Sequence, residues 1–259
     1  MSNRSHNTGL SRHVYVILLL ICLLPAGEAL AITLGQIDTF EDGTLQNWQT
    51  GLSAVTAEHM SNVSSGGPDG IDDNYLQMFS DSTDPFGGNR LTFFNREQWT
   101  GDWLAANVTA ITLDVKNFSS SVPLNLRLGI NGGFVDPTGT SIIGGTFVTS
   151  GRIVLNSGSD WTRVLFMVRS SDFVSVLPGR SSNTAGNDIL ATLSNVTELR
   201  ILNSELPDWN GLPVDATLGV DNIAARIQAT AVPLPPALAL FGPGLIALMT
   251  VARKQKRYS

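Results

Sequence analysis

The sequence predicts an all-β domain, either a sandwich or a barrel, over residues 32–229. Thr, Val, Ile, Leu, Gly, Asn and Ser are abundant there, and apolar residues at helical spacing are nearly absent. Short segments with alternating apolar residues, such as residues 111–118, are separated by turn-forming clusters at regular intervals. These features together are typical of folds built from many short antiparallel strands.

The strands are expected between clusters of Gly, Pro, Asn and Asp, because these residues favour turns. Two such clusters are residues 66–70 and 84–88. Residues 187–195 are predicted to form a short helix. The predicted strands lie near residues 32–37, 52–59, 74–80, 89–95, 108–117, 123–130, 144–149, 151–155, 161–169, 196–203 and 217–228.

A secretory signal peptide is expected at residues 1–31. Two arginines precede an uninterrupted apolar segment at residues 14–24. Ala29 and Ala31 then fit the small-x-small pattern that signal peptidase recognises. We therefore expect cleavage after Ala31 and export of the remaining chain.

The residues that remain after export exclude several kinds of catalytic and metal site. Cys22 is the one cysteine of the chain and lies in the signal peptide. The mature protein therefore has no disulfide, no thiolate zinc site and no cysteine nucleophile. His59 is the only histidine left, which excludes a zinc site with two histidines.

The body between residues 32 and 252 is strongly acidic. The whole chain has 16 basic and 22 acidic residues; two of these cations and one acid fall in the signal peptide, and four cations follow residue 252. Ten basic residues therefore face 21 acidic ones in the body, a net charge of −11. Nucleic acid is excluded as a partner because its phosphates need a basic patch. The many carboxylates favour hard cations such as calcium.

The last part of the chain predicts a membrane-spanning helix with a basic end. Residues 234–252 are 19 uncharged residues, close to the ~20 that a helix needs to cross a bilayer core. Because basic residues stay on the cytoplasmic side, the body is expected outside the cytoplasm. The basic residues are Arg253, Lys254, Lys256 and Arg257.

This tail, residues 230–259, resembles the PEP-CTERM sorting signal of Gram-negative bacteria, which combines a Pro-Glu-Pro-like motif, a short membrane helix and a basic end. Residues 241–245 are similar to a Phe-Gly-Ser-Gly-Leu segment of that signal. The resemblance implies that exosortase, a membrane enzyme, recognises the tail and cleaves it. The alternative is a permanent membrane anchor. The residues that match the motif, with leucine in place of glutamate, are Val232, Pro233, Leu234 and Pro235.

Two segments of the body resemble galactose-binding-like jelly rolls, the fold of many carbohydrate-binding modules. Residues 38–48, Asp-Thr-Phe-Glu-Asp-Gly-Thr-Leu-Gln-Asn-Trp, are similar to the first strand of that fold, and residues 218–223, Leu-Gly-Val-Asp-Asn-Ile, to its last strand. The resemblance implies a jelly-roll β-sandwich whose first and last strands are neighbours. It also implies a structural calcium ion (Ca2+), bound by Glu41, the carbonyl of Gly43, Asp221 and Asp38.

The residue types around Asp221 agree with a cation site. Calcium takes about six to eight oxygen ligands from carboxylates and carbonyls. Asp221 lies in an apolar strand, where a carboxylate needs a partner or a cation. Phe40 and Trp48 are expected in the core with Glu41 on the opposite face, since side chains alternate along a strand. The alternative is that Asp221 and Asn222 form an exposed turn.

Aromatic residues in loops are the candidates for sugar binding. Trp99, Trp103 and Trp209 lie in segments with Gly, Asp and Asn, and an exposed aromatic face suits the C–H face of a sugar ring. Trp48 and Trp161 lie at strand starts and are expected in the core. The alternative for Trp99 and Trp103 is that both rings pin a loop onto the core.

These observations predict an exported, non-catalytic protein of the cell surface or extracellular matrix that binds exopolysaccharide. One alternative is a structural surface protein without a specific ligand. Another is a glycosidase or lyase, which needs two carboxylates in a cleft. Acidic residues are numerous, as at Asp69, Asp72 and Asp73, and their spacing singles out no catalytic pair.

Overall fold

The computed structural model describes residues 31–135, 142–176 and 188–228. For residues 134, 135, 142 and 143 within these ranges, it describes the backbone but not the side chains. The chain divides into two units, Met1–Ile227 and Gln228–Ser259, and every element below belongs to the first. The predicted signal peptide up to residue 30 and the predicted sorting signal at residues 230–259 lie outside the described residues. The described part of the chain contains no helix that is long and apolar enough to span a membrane.

Two antiparallel sheets form the described fold. The strands of the first sheet are β1 (Ile37–Asp38), β2 (Met60–Val63), β3 (Tyr75–Ser80), β5 (Ala110–Asn117), β9 (Thr162–Met167) and β12 (Ala216–Arg226). Those of the second sheet are β4 (Thr92–Asn95), β6 (Leu124–Val135), β7 (Ile142–Thr149), β8 (Ile153–Leu155), β10 (Phe173–Ser175) and β11 (Val196–Asn203). The helices are α1 (Ser53–His59) and α2 (Ile189–Leu193), and Ser170–Asp172 form one turn of 3-10 helix.

The strand order is that of a β-sandwich with jelly-roll connections. In the first sheet the order is β2-β3-β12-β5-β9, with β1 beside β12; in the second it is β10-β7-β6-β11-β4, with β8 beside β6. The chain crosses between the sheets after β3, β4, β5, β8, β9 and β11. Ile37 pairs with Ala224, so the first and last strands are neighbours, as the resemblance implied.

The core lies between the two sheets because apolar residues alternate along the central strands. Phe40 and Trp48 are buried in it while Glu41 is exposed, as predicted. The other side chains of each strand form the outer faces of the two sheets. The fully buried apolar residues of one inner strand in each sheet are Leu124, Leu126, Leu128 and Ile130 on β6, and Ala110, Ile111, Leu113 and Val115 on β5.

Most of the predicted strands are present with shifted ends. Residues 196–203 coincide with β11, and the helix predicted at residues 187–195 is α2. The strand predicted at residues 52–59 is wrong, because Ser53–His59 form a helix. Its buried residues are Val55, Thr56 and His59, and this spacing places them on one helical face.

Candidate functional site

The outer face of the second sheet combines arginines with aromatic rings. Phe93 on β4 and Ile201 on β11 belong to the core, so the adjacent Phe94 and Arg200 point outward. Phe94 and Arg200 pair directly with each other across the two strands. This register brings the guanidinium of Arg200 to 5.3 Å from the centre of the Phe94 ring.

Further stacking contacts extend this arrangement on both strands. The guanidinium of Arg200 also lies 4.0 Å from the ring centre of Trp209. Arg96 lies 4.3 Å from the ring centre of Phe94. Cation–π contacts contribute about 0.5–2 kcal/mol each, depending on how far the pair is desolvated. They fix the two arginines and two rings relative to the sheet.

Trp209 reaches this face because residue 129 on β6 is glycine. A Cβ at Gly129 would lie only 2.9 Å from Cζ3 of Trp209. Trp209 is half-buried, and its carbonyl accepts a hydrogen bond from Nη1 of Arg200 at 2.9 Å. The ring and the guanidinium are therefore held as one unit.

Glu198 balances part of the positive charge on this face. Its Oε2 accepts a hydrogen bond from Nε of Arg96 at 2.7 Å, and its Oε1 accepts one from Nε of Arg200 at 2.8 Å. Glu198 is buried, so its carboxylate needs these partners. Burial lowers the pKa of Arg200, while the Glu198 carboxylate acts in the opposite direction. Two arginines share one carboxylate, which leaves a positive charge on the face.

A groove of about 310 Å³ opens beside Arg200. Its walls offer amide, guanidinium and hydroxyl groups around an aromatic ring, and none of its lining residues has a carboxylate. Such a mixture suits the alternating hydroxyl and C–H surface of a sugar. The polar and aromatic residues that line it are Asn89, Arg90, Thr92, Phe94, Arg200 and Asn210.

The loop between β11 and β12 forms one wall of this groove. Oγ1 of Thr92 donates a hydrogen bond to the carbonyl of Asn210 at 2.9 Å. Oδ1 of Asp208 accepts hydrogen bonds from the backbone N–H groups of Asn210 at 2.7 Å and Gly211 at 3.0 Å. The loop is thus tied to β4 and also ordered internally, so the groove wall is built before any ligand arrives.

The ligand role predicted for Trp99 and Trp103 is wrong. Both side chains are fully buried. Nε1 of Trp103 donates a hydrogen bond to the carbonyl of Trp99 at 3.1 Å, and Nε1 of Trp99 donates to the Asp38 carboxylate. Both rings pin their loop onto the core, which was the alternative. The Gly and Asp residues beside them form turns of that loop, while the rings point inward.

The expectation that Trp161 lies in the core is also wrong. Trp161 is half-exposed on the outer face of the first sheet, with ring centres 5.2 Å from Tyr75 and 6.3 Å from Phe118. A Cβ at Gly219 would lie 2.8 Å from atoms of both Phe118 and Trp161. Glycine therefore lets the rings meet over the sheet, and the first sheet carries an aromatic surface of its own.

Four carboxylates gather at the first sheet. Asp221 and Asp114 pair across β12 and β5, and Arg163 donates two hydrogen bonds to Asp114 at 2.9 and 2.6 Å. Among the described residues, Asp221 accepts hydrogen bonds only from Asn222, from its backbone N–H at 2.7 Å and Nδ2 at 3.0 Å. Arg163 balances only part of the charge in this acidic cluster, which consists of Glu41, Asp73, Asp114 and Asp221.

Asp221 lies at an irregularity of β12. The register with β5 shifts between Asp221 and Ala224, and Asn222 has a φ of 51°, in the left-handed region that asparagine tolerates. The alternative expectation of an exposed turn is wrong, because Asp221 is buried. The bulge holds the carboxylate at the sheet surface without exposing it to water.

Two members of the acidic cluster have a raised pKa. The pKa of Asp221 is raised from 3.8 to about 7, chiefly by burial and also by the carboxylates of Asp73, Asp114 and Glu41, against the hydrogen bond from Asn222. Burial and the neighbouring Glu41 also raise the pKa of Asp73. Within the described part of the chain, this negative charge is not fully compensated.

Asp38 has a different role from the one the resemblance implied. Its Oδ2 accepts hydrogen bonds from the indoles of Trp48 at 2.7 Å and Trp99 at 2.6 Å, and from Nε2 of Gln98 at 3.2 Å. Burial raises the pKa of Asp38, against these three hydrogen bonds. The described residues contain no group of three Asp, Glu, His or Cys side chains already arranged for a metal ion. Because three protein donors occupy its Oδ2, Asp38 is not an open calcium ligand.

A hollow of about 630 Å³ is lined by two carboxylates, those of Asp38 and Asp42. Oδ1 of Asp42 accepts hydrogen bonds from the backbone and hydroxyl of Thr44, both at 2.9 Å, and these lower the pKa of Asp42. Asp38 Oδ2 is saturated by its three donors. Both carboxylates order the protein around them, which indicates structural roles.

His59 is also structural, as expected for a lone histidine. Its ring lies 2.9 Å from the carbonyl of Phe79 through Nδ1 and 3.1 Å from the Asp84 carboxylate through Nε2. The ring stacks on that of Phe79 with centres 5.4 Å apart. These contacts connect α1 to β3 and to the following loop.

The sequence did not single out the residues of the groove. One signal was present: the body has ten basic residues, and Arg90, Arg96 and Arg200 lie in or beside two predicted strands. Only the pairing of β4 with β11 brings Phe94 and Arg200 together, and the spacing of residues along the chain does not reveal that pairing.

Neither a protein-family model nor a curated protein matches the chain. Solved structures do match it. The family 11 carbohydrate-binding module from Clostridium thermocellum, in complex with a β-1,3-1,4-mixed-linked tetrasaccharide, is 16% identical with a TM-score of 0.45. That match covers 76% of this chain and 99% of the module. The CBM22-1 xylan-binding domain from Paenibacillus barcinonensis is 14% identical with a TM-score of 0.41, over 76% of this chain and 99% of that one.

An exo-beta-agarase is similar over a smaller share of its own length. It is 13% identical with a TM-score of 0.47, and the match covers 76% of this chain and 25% of the agarase chain. This protein therefore spans about a quarter of the agarase chain. All three TM-scores lie below 0.5, so the fold assignment rests on the sheet topology described above.

Proposed function

We propose that this chain is an exported, non-catalytic protein of the cell surface or extracellular matrix that binds polysaccharide. The groove on the outer face of the second sheet carries the binding part of the proposal. Asn89, Arg90 and Asn210 supply hydrogen-bonding groups in the same groove as the Phe94 ring. Amide and guanidinium groups bind sugar hydroxyls, while an aromatic ring contacts the C–H face of a sugar.

Binding rather than cleavage is favoured by the chemistry of the groove. Glycoside hydrolysis needs one carboxyl group as acid and a second carboxylate as base or nucleophile. No lining residue of the groove is acidic, and the nearby Glu198 is tied to both Arg96 and Arg200. These contacts leave Glu198 no free oxygen to serve as a catalytic base.

Export and sorting are proposed from the two ends of the sequence. Signal peptidase would cleave after Ala31, and exosortase would recognise residues 232–235 together with the membrane helix at 234–252 and its basic end. The protein would then pass from an inner-membrane precursor to the cell surface or matrix.

A structural calcium ion is proposed at the acidic cluster, held by Glu41, the carbonyl of Gly43 and Asp221. Asp221 supports this proposal because it is buried and accepts hydrogen bonds, among the described residues, from Asn222 alone. A calcium ion would supply the positive charge that this cluster lacks, and carboxylate and carbonyl oxygens are its preferred ligands. Its role would be to tie the segment after β1 to β12.

An array of polysaccharides, probed with the purified protein, tests the proposed function. We expect at least one polysaccharide to be retained, with no release of reducing sugar on long incubation. Failure to retain any polysaccharide, including the exopolysaccharide of the producing cell, would favour a structural protein without a ligand. Release of reducing sugar would instead show a glycosidase or lyase.

A further inference from the structure

Within the described part of the chain, Arg90 differs from the other arginines of the binding face because its side chain has no partner. Among the described residues, none forms an ion pair or side-chain hydrogen bond with Arg90, and its Nε is buried without a hydrogen-bond partner. Arg200, on the same groove, has its Nε and Nη2 on Glu198 and its Nη1 on the carbonyl of Trp209. The guanidinium of Arg200 is therefore engaged by the protein, whereas that of Arg90 has no such partner among the described residues.

Arg90 is not neutralised by the ion pairs beside it. The Glu198 carboxylate pairs with Arg96 and Arg200, and no ion pair of the described residues includes Arg90, although the body as a whole has a net charge of −11. A guanidinium that has no acceptor in the protein gains charge-assisted hydrogen bonds when a ligand supplies the acceptor. The placement of Arg90 therefore indicates an anionic acceptor in the ligand.

Two carboxylates in neighbouring loops, those of Asp84 and Asp208, are bound to other groups and not to Arg90. Oδ1 of Asp84 accepts a hydrogen bond from the N–H of Phe86 at 2.7 Å, and its Oδ2 accepts one from the N–H of Gly88 and contacts His59. Asp208 orders the opposite wall through the N–H groups of residues 210 and 211. Both acids are engaged within their own loops.

We propose that Arg90 binds the carboxylate of an acidic sugar, so that the groove selects polysaccharides that contain uronic acids. The planar fork of a guanidinium presents neighbouring N–H groups whose geometry matches the two oxygens of a carboxylate. Asn89, Asn210 and the ring of Phe94 remain for the hydroxyl and C–H groups of the same sugars. This inference rests on the proposed polysaccharide binding and names its substrate class.

Titration calorimetry with matched oligosaccharides tests the inference. The probes are oligogalacturonates, hyaluronan fragments and glucuronoxylan fragments, each compared with its carboxyl-reduced form, with dextran sulfate as a general polyanion. The proteins are wild type, Arg90→Gln, Arg90→Lys and the control Arg226→Gln, which removes an exposed arginine at the end of β12. Melting curves of all variants establish that each is folded.

For at least one uronate we expect binding about tenfold or more tighter than its carboxyl-reduced form. Arg90→Gln should lose the preference for the charged form and keep the weaker affinity for the reduced form. Arg90→Lys should retain part of that preference, and Arg226→Gln should retain all of it.

Equal binding of charged and reduced forms, or an unchanged preference in Arg90→Gln, would overturn the inference and leave neutral-polysaccharide binding intact. Equally tight binding of dextran sulfate would overturn carboxylate selection in favour of general anion attraction. Failure of every polysaccharide to bind would overturn the proposed function itself.

Discussion

Trp99 donates its indole N–H to the carboxylate of Asp38 at 2.6 Å. The same oxygen accepts the indole N–H of Trp48 at 2.7 Å. One buried carboxylate therefore joins β1 to two loops and orients two of the largest side chains of the core. This relationship explains both why Trp99 is not a surface aromatic and why Asp38 is not an open ligand.

Asp38→Ala is expected to destabilise the fold by about 3 kcal/mol, because it leaves two buried indole N–H groups without an acceptor. Urea unfolding of wild type and variant measures the difference. Asp42→Ala is the matched control, since this exposed carboxylate bonds only within its own turn and its loss should change little. Equal stability of Asp38→Ala and wild type would show that the carboxylate does not hold the indoles.

Gly129→Ala should displace Trp209 from the second sheet and weaken polysaccharide binding between about twofold and tenfold, the range for lost aromatic contacts. The reason is the 2.9 Å approach between an added Cβ and the Trp209 ring. Gly151→Ala is the control, because nothing lies within 4 Å of a Cβ at that position. Binding to the retained polysaccharide, measured by affinity electrophoresis, should separate the two variants. Identical binding by both would remove Trp209 from the proposed site.

Calcium is expected to raise the melting temperature of wild type, and chelator to lower it. A ligand of the folded state stabilises it by about 2.7 kcal/mol at a hundredfold excess over its Kd. Asp221→Ala should respond far less to either condition. Glu58→Gln, an exposed acid on α1, should respond as wild type does. A wild-type melt that is the same in calcium and in chelator would refute the calcium proposal.

In chelator, the stability of wild type relative to Asp221→Asn should fall as the pH rises from about 4 to about 7. The pKa of Asp221 is raised from 3.8 to about 7, so the folded state keeps a proton that the unfolded state has released. Below pH ~4 Asp221 is protonated in both the folded and the unfolded state, so its ionisation does not lower the free energy of unfolding. Above pH ~7 Asp221 is ionised in both states, and the free energy of unfolding is lower by at most about 4 kcal/mol. Unfolding curves at several pH values give the difference, and comparing with Asp221→Asn cancels the other carboxylates. If the difference in unfolding free energy between wild type and Asp221→Asn did not change with pH, ionisation of Asp221 would not destabilise the folded state.

The mature protein should lack both ends of the encoded chain. Intact-mass analysis of surface-released protein is expected to show a start at residue 32 and an end near Pro235. Bulky residues in place of Ala29 and Ala31 should block removal of the signal peptide, because the peptidase pocket accepts small side chains. Recovery of the protein with residues 253–257 attached would contradict exosortase processing and leave a plain membrane anchor.

The sheets could be predicted from the sequence because their pattern is local. Strand β11 has the predicted bounds, and the pairing of β1 with β12 follows the two segments that resemble a jelly roll. The helix α1 was missed because Val55, Thr56 and His59 bury one helical face only in the company of β2 and β3. A seven-residue segment with few strong signals takes the structure that tertiary packing favours.

The binding site could be predicted only in part. Three loop tryptophans were expected at the surface, yet the direction of a loop side chain depends on partners far along the chain, as Trp99 and Asp38 illustrate. The groove needs the pairing of Phe94 with Arg200 and the closure of the loop around Asn210 onto Thr92. These long-range contacts leave no periodic signal in the sequence.

The location of the bound polysaccharide distinguishes the groove on the second sheet from the aromatic surface of the first sheet. Amide and side-chain NMR signals of the protein, followed while the retained oligosaccharide is added, report which residues it contacts. We expect the largest shifts at Asn89, Arg90, Phe94, Arg200 and Asn210, with those of Tyr75 and Trp161 on the first sheet unchanged. Shifts centred on Tyr75 and Trp161, with the groove residues unmoved, would contradict the assignment of the groove as the binding site.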